Sequence, residues 1–376
     1  MLIGICGSKC AGKTTVAEYL VEHHGFKKLC LELKSQEASE PVIADASAAL
    51  ASSDETATPT RDGDLLTQEA SADETYAFTK VSELLDFVTK RWRDRWVTTD
   101  VHDEYVLDAL SRRPFFILIS VDAPVTMRWK RYEQRRNASS SSSTHPPTST
   151  SSLSHLQPTT FESFVQASDE HLYDPRTGVI PLVSRATLRI INSSPSLSRL
   201  RAHLDLLRLP DPGRLRPSWD AYFMSLAELA AHRANCMKRA VGCVLVDAQN
   251  RVLATGYNGT PRHLRNCSQG GCPRCNAGES SGVALATCLC LHAEENALLL
   301  VGRERIRDGV VLYCNTCPCL TCSIKIVQVG IAEVVYNQGY SMDGETARVF
   351  NEAGVKLRQF SPPPNGLIHL ERLQLF

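Results

Sequence analysis

The sequence predicts an α/β protein of two domains, a doubly wound parallel sheet followed by a three-layer α/β/α unit. Three observations carry this. A short apolar strand, a glycine-rich loop and a helix open the chain between Leu2 and His23. Apolar runs of strand length then alternate with helix-periodic segments to about residue 210, the pattern of a parallel sheet covered on both faces. A second alternation, from Ser218 onward, carries His292 and the pair Cys319 and Cys322 at the starts of two expected helices. At 376 residues the chain is long enough for two cores.

The first domain is expected over residues 1–210. Leu2 to Cys6 reads as a buried strand and Thr14 to His23 as a helix. Between them, Gly7-Ser8-Lys9-Cys10-Ala11-Gly12-Lys13-Thr14 fits the P-loop pattern G-x-x-x-x-G-K-[ST] at every specified position. In such a loop Gly7 and Gly12 let backbone N–H groups wrap a phosphate and Lys13 reaches its outer oxygens. Thr14 binds Mg2+ at the positive end of the helix. Low-complexity insertions rich in Ser, Thr, Ala and acids are expected near 35–75 and 138–160, because neither can bury enough apolar surface to order itself. Order returns with a helix from Val81 to Arg93 and a strand from Arg95 that ends in Asp100. That carboxylate is either a magnesium ligand or a strand-end cap. A helix over Glu104–Leu110, a buried strand over Phe115–Val121 and a basic helix over Pro124–Arg136 follow. Arg128, Lys130 and Arg131 on the last read as a solvated basic face, with a phosphate clamp as the alternative. Phe161–Leu172, Thr187–Asn192 and Ser198–Leu207 supply a helix, a strand and a closing helix. The order of parts is similar to that of nucleoside-monophosphate and dephospho-coenzyme A kinases.

A Pro-rich linker is expected over 211–217, then a second domain over 218–361 and a tail over 362–376 with no assigned role. Ser218 caps a helix running to about Met237. Val241–Val246 and Arg251–Gly256 form a hairpin through Asp247–Asn250, and Tyr257-Asn258-Gly259-Thr260-Pro261 is a polar exit loop. His292 opens a helix to Leu300. Val310–Tyr313, a helix over Cys319–Val329, Ile331–Tyr336, a helix over Val349–Ala353 and a strand over Val355–Phe360 complete a mixed sheet.

His292-Ala293-Glu294 and Pro318-Cys319-Leu320-Thr321-Cys322 then fall on first turns of two helices. One His and two Cys hold zinc in three of its four tetrahedral positions and leave the fourth for water. The positive helix ends favour thiolate over thiol. Glu294, two residues past the His, is badly placed as a ligand and well placed to move a proton on that water. A structural zinc beside a coincidental acid is the alternative, but such a site is expected to supply four ligands. H-x-E followed by P-C-x-x-C is the known signature of zinc-dependent nucleobase deaminases, and the chain matches it completely.

With Gly256-Tyr257-Asn258-Gly259-Thr260-Pro261 added, the stretch from Trp219 to Phe360 resembles the deoxycytidylate (dCMP) deaminases. The P-loop domain ahead of it and the cysteine-rich loop resemble the fungal type. The resemblance implies a cytidine-deaminase-like fold and hydrolysis of dCMP to dUMP and ammonia, supplying dUMP for dTTP synthesis. It implies Zn2+ on His292, Cys319 and Cys322, with Glu294 passing protons to ring N3 and then to the leaving ammonia. A homo-oligomer, often hexameric, activated by dCTP and inhibited by dTTP, also follows from it. So do substrate or effector contacts at Gly256, Tyr257, Asn258, Gly259, Ala293 and Tyr340. Lys238, Arg239, Arg262 and His263, near the early strand and the exit loop, are candidates for phosphate capture, with a plain surface charge as the alternative for each.

Fourteen cysteines in a chain of this length point to metal more than to disulfides. Cys272 and Cys275 have zinc-knuckle spacing, and a second, structural zinc is expected on Cys236, Cys267 and Cys290 with one of Cys272 and Cys275. Cys288 is held in reserve, and Cys314 and Cys317 are read as strand or core residues. Zero formal net charge and no long basic run argue against nucleic-acid binding through counterion release. The absence of a membrane-length apolar run argues against a spanning segment. Met1–Cys6 lacks the basic flank of a signal peptide, so a cytoplasmic location, with the nucleus as a second one, is expected. Two rival functions stand beside this reading. One is a zinc deaminase of another cytosine or guanine substrate, although cytidine deaminases usually place Cys where His292 stands. The other is a bifunctional protein whose P-loop domain, with Mg2+ and a nucleotide, is an active kinase.

Overall fold

The computed structural model describes residues 1–32, 75–141, 158–280, 283–339 and 343–373. They divide into two compact units, Met1–Leu215 with Pro364–Phe376, and Arg216–Pro363.

The first unit opens with β1 (Leu2–Gly7), α1 (Lys13–His24), β2 (Lys27–Leu31) and β3 (Thr75–Phe78). It continues with α2 (Val81–Lys90), β4 (Trp96–Thr98), α3 (Glu104–Ser111), β5 (Phe116–Asp122) and α4 (Val125–Ser141). Then come α5 (Phe161–Tyr173), α6 (Ile180–Arg185), β6 (Leu188–Ile191) and α7 (Leu197–Leu207). All the strand pairings in this sheet are parallel. Strand β1 reads as a continuous apolar run because both of its faces are covered. Ile3 and Ile5 join a core with α1 and α7 on one side, whereas Leu2 and Cys6 join α2, α3 and α6 on the other. Helices therefore cover both faces of this parallel sheet. The insertion near 35–75 lies outside the described residues except for Thr75, which begins β3. Of the second insertion, residues 142–157 lie outside them, while α4 runs on through Ser141.

The second unit holds α8 (Trp219–Ala231), β7 (Gly242–Val246), β8 (Val252–Tyr257) and the short α9 (Pro273–Asn276). After these come α10 (Ala293–Val301), β9 (Val311–Thr316), α11 (Leu320–Val329), β10 (Glu333–Gln338), α12 (Asp343–Glu352) and β11 (Lys356–Gln359). The sheet order is β11-β10-β9-β7-β8. Strand β7 runs antiparallel to β8 and β9, and β9, β10 and β11 are mutually parallel. One face packs Cys243 and Leu245 against Ala293 and Ala297, Cys322 and Ile326, and Phe350, which places α10, α11 and α12 together. The other packs Val244 and Val246 against Phe223, Met224 and Ala227 of α8. Three layers result. Ser218 caps α8 through the Ala221 N–H at 3.2 Å. Asp220, near the start of α8, accepts 2.6 and 3.0 Å bonds from Arg358 and a 2.9 Å bond from Tyr313, fastening α8 to β9 and β11. The Arg358 bonds are the main reason its carboxyl is held below the usual range.

Three expectations are corrected. Helix α8 ends at Ala231, short of Met237, leaving Cys236 on an irregular connection. Helix α12 starts at Asp343, ahead of Val349. Residues 364–376 are not an unassigned tail: β12 (Gly366–His369) pairs in parallel with β6 and completes the order β12-β6-β5-β1-β4-β2-β3. Four residues after a Pro-Pro-Pro run give too short an apolar signal to read as a strand.

Candidate active site

His292 is the N-cap of α10 and Cys319 the N-cap of α11, with Cys322 on the first turn of α11. Their side chains meet. His292 Nδ1 lies 3.3 Å from Cys319 Sγ and 3.3 Å from Cys322 Sγ, and the three ligand atoms all fall within 4.8 Å of one another. Ligands at about 2.0–2.3 Å from a tetrahedral zinc would be roughly 3.5–3.8 Å apart, so this donor set fits the ion. The Cys322 side chain first, then His292 and the Cys322 backbone N–H, bring the Cys319 thiol down to about 4. The bond to Cys319 raises the His292 pKa.

Glu294 lies beside this set and is 4 % exposed. Burial pushes its carboxyl above the usual range, partly opposed by His292. Close to it, Cys243 of β7 and Cys314 of β9 are cross-strand partners, both buried. They line the core, as expected for Cys314, and so does Cys317. Glu295, which the sequence reading did not single out, accepts from the His292 N–H at 3.0 Å and pairs with Lys325 of α11. That ion pair joins the two helices that carry the ligands. A Glu three residues after a helix cap was the available signal.

Gly256 fixes the approach of β8. A Cβ there would lie 2.1 Å from Ala293 O and 2.6 Å from Ala297 N, so the backbone of α10 rests directly on the strand. Asn296 donates to Tyr257 O at 2.9 Å. Asn258 is buried and turns its carboxamide to the backbone, donating to Arg239 O at 2.7 Å and accepting from Val241 N at 2.9 Å. At Gly259 the space of a Cβ is taken by Asn235, whose Oδ1 also accepts from Thr260 N. Asn235 was missed because nothing in its sequence neighbourhood marks it. Ala293 is fully buried on the first turn of α10. Tyr340 lies outside the described residues. Of the expected phosphate cations, Lys238 donates to Glu279 O and Arg239 to Gln338 Oε1, while Arg262 and His263 are exposed.

Five thiols of the loop between β8 and α10 meet Cys236, which comes from the connection after α8. Cys236, Cys267, Cys275 and Cys290 form one group of four, and Cys272, Cys275, Cys288 and Cys290 form another. Cys288, held in reserve by the sequence, is therefore part of the cluster.

In the first unit Gly7 has φ +124°, and a Cβ on it would fall 2.1 Å from Val121 O. Lys13 Nζ donates to Gly7 O at 2.8 Å and Ser8 O at 2.9 Å, across the loop that ends at Gly12. Thr14 is exposed on the first turn of α1. Arg131 and Arg128 are not a solvated face. Arg131 donates to Ala11 O at 3.0 Å, and Arg128, 6 % exposed, donates to Ala123 O and Ser168 Oγ. Lys130 alone of the three is exposed. Asp100 caps a strand, accepting from Leu31 N at 2.9 Å.

The fold and site define a class first. Residues 217–338 match the family described as the cytidine and deoxycytidylate deaminase zinc-binding region. The chain is 43% identical over 365 residues to the deoxycytidylate deaminase of Schizosaccharomyces pombe, covering 97% of this chain and 99% of that one. It is 46% identical over 288 residues to the deoxycytidylate deaminase of Saccharomyces cerevisiae, covering 74% and 85%. A crystal structure of dCMP deaminase from the cyanophage S-TIM5 in complex with dCMP and dUMP is 30% identical. It covers 39% of this chain and 98% of that one, with a TM-score of 0.32. The chain belongs to the deoxycytidylate deaminase family. Among the described residues no helix is long and apolar enough to cross a membrane.

Proposed function

We propose that the protein hydrolyses dCMP to dUMP and ammonia, with Glu294 carrying the protons beside a zinc on His292, Cys319 and Cys322. The observation that carries this is three converging ligand atoms with a buried acid against them, in a chain of this family. Three protein ligands suit a reactive site, since they leave one position open. Zinc bound there supplies Lewis-acid activation of a water molecule. Glu294 takes a proton from the attacking water and gives it to ring N3, then takes the remaining proton from the new C4 hydroxyl and passes it to the departing amino group. The C4–O bond forms, the C4–N bond breaks and ammonia leaves. A carboxyl whose pKa is raised by burial holds a proton readily between those two transfers. Glu295 and Lys325 position the ligand-bearing helices.

The substrate and effector contacts belong to the same reading. Gly256, Tyr257, Asn258, Gly259 and Ala293 border the start of α10, and Tyr340, Arg262 and His263 complete the proposed nucleotide set. dCTP as activator, dTTP as inhibitor and a hexameric assembly complete this proposal, as do a cytoplasmic and nuclear location and no stable nucleic-acid partner. Cys236, Cys267 and Cys290, with one of Cys272 and Cys275, hold a structural zinc beside the segment that leads into His292. Ammonia release from dCMP, cytidine and CMP, each with and without dCTP, tests the assignment. Turnover confined to dCMP and raised by dCTP is expected; comparable turnover of cytidine would overturn the substrate.

The first unit is proposed as a P-loop module for a nucleoside triphosphate with Mg2+. The loop from Gly7 to Thr14 with Arg131 hydrogen-bonded to it supports this reading. Phosphate oxygens would replace the Gly7 and Ser8 carbonyls as partners of Lys13. A Lys13→Ala variant separates the two roles: lost phosphoryl transfer marks a kinase, whereas lost nucleotide binding with no transfer in the parent marks a regulatory module.

A further inference from the structure

Cys275 and Cys290 belong to both groups of four thiols formed by Cys236 and the loop cysteines. We propose that the six thiolates hold two divalent metal ions as one cluster, with Cys275 and Cys290 bridging. Cys236 and Cys267 complete one end, and Cys272 and Cys288 the other. This rests on the reading that the loop binds zinc, and adds to it the second ion and the bridge.

The distances fit two tetrahedra sharing an edge. The Cys275–Cys290 sulfurs, which would be that edge, are 4.0 Å apart. Cys236–Cys275, Cys272–Cys288 and Cys275–Cys288 are each separated by 3.9 Å. Sulfurs about 2.3 Å from a tetrahedral zinc sit roughly 3.8 Å apart. A disulfide needs about 2.05 Å, so none of these contacts is one. A single ion would take four of the thiols and leave two in contact with its ligands. With the ion on Cys236, Cys267, Cys275 and Cys290, Cys272 is left fully buried 3.9 Å from Cys288 with no metal for either, and the other choice leaves out Cys236 and the fully buried Cys267.

The surroundings carry the charge that the cluster would need. Arg274 is 9 % exposed, and its side chain donates to Val283 O and Ser280 O with Nη1 4.0 Å from Cys288 Sγ. Among the described residues no carboxylate pairs with this buried guanidinium, and a buried cation calls for an anion. Leu289 N–H donates to Cys272 Sγ at 3.4 Å, and the backbone N–H groups of Lys238 and Arg239 are directed at Cys236 Sγ. Loading exchanges six thiol protons for two divalent ions, moves no electron and leaves a net charge of two minus, which Arg274 offsets in part. The cluster ties the connection carrying Cys236 to the loop after β8 and to Cys290. Leu291 then bridges to Gly259 through 3.1 and 2.9 Å bonds immediately before His292.

Zinc per chain, measured by elemental mass spectrometry on the full chain purified under reducing conditions, tests this with two variants. Three zinc ions per chain are expected, falling to two in Cys319→Ser and to two in Cys288→Ser. Cadmium NMR of the metal-exchanged parent should show two cluster resonances split by coupling through the bridging sulfurs. Two ions per chain, unchanged by Cys288→Ser, would overturn the second ion and keep the zinc-binding loop. A single ion, lost in Cys319→Ser, would overturn both. Three ions without cadmium coupling would overturn the bridge. The parent stoichiometry and coupling decide the matter even if a variant fails to fold.

Discussion

Two regions of the second unit gather cysteine, and they do it by different means. At His292, Cys319 and Cys322 the ligands sit on the first turns of two helices packed on one sheet face, and a buried acid lies beside them. At the six-thiol loop the ligands come from irregular backbone and a four-residue helix, and the charged neighbour is a cation, Arg274. The first arrangement has three converging ligand atoms and one buried carboxylate on regular structure. The second is crowded with thiols, and among the described residues no buried carboxylate accompanies them. The first site is built on helices packed into the sheet's core, whereas the buried cluster of the loop consists of cysteines alone, so on the proposed reading metal binding fixes the loop's shape.

That contrast can be broken by substitution. Cys319→Ser should remove one zinc and lower dCMP turnover by at least about a thousandfold, with the loop metal intact; metal content and ammonia release on the same sample check it. Cys275→Ser should do the reverse. The loop metal is lost and the calorimetric midpoint falls by at least about 5 °C, while KM rises more than kcat falls, because Leu291 no longer holds Gly259 in place. Equal loss of kcat in both variants would erase the distinction. Gly256→Ala drives a Cβ into Ala293 O and should cost about 1–3 kcal/mol in denaturant unfolding, together with a loss of activity, since α10 must lift off β8.

The smallest effect is expected away from both sites. Asp220→Asn weakens the bonds to Arg358, worth about 1 kcal/mol or less after solvent screening. Because the folded-state pKa of Asp220 is depressed, its contribution is present above the ordinary carboxylate pKa and is lost as pH falls through the lower, folded value. Urea unfolding of parent and variant should therefore differ at neutral pH and converge in acid.

The site was more legible than the fold around it. His292, Glu294, Cys319 and Cys322 are fixed by spacing, because helix starts place side chains predictably and the zinc pattern admits few residue types. The six-thiol loop was legible in composition but not in partition, since the return of Cys288 to the cluster depends on a loop path that no periodicity encodes. Asn235 and Lys325 act through tertiary contacts alone and left no sequence signal. Strand β12 was hidden because its four residues pair with a strand far away in sequence. Arg131 was read as solvated because a basic helix usually is, yet its guanidinium is spent on the Ala11 carbonyl.

Glu294→Gln tests the central division most directly, because it keeps the volume of the side chain and leaves every metal ligand in place. Full zinc content, an unchanged or higher melting midpoint and a kcat for dCMP lower by about 100-fold to 10,000-fold are expected. Turnover within about tenfold of the parent, at full zinc content, would contradict the assignment of Glu294 as proton carrier and move the transfers to another group.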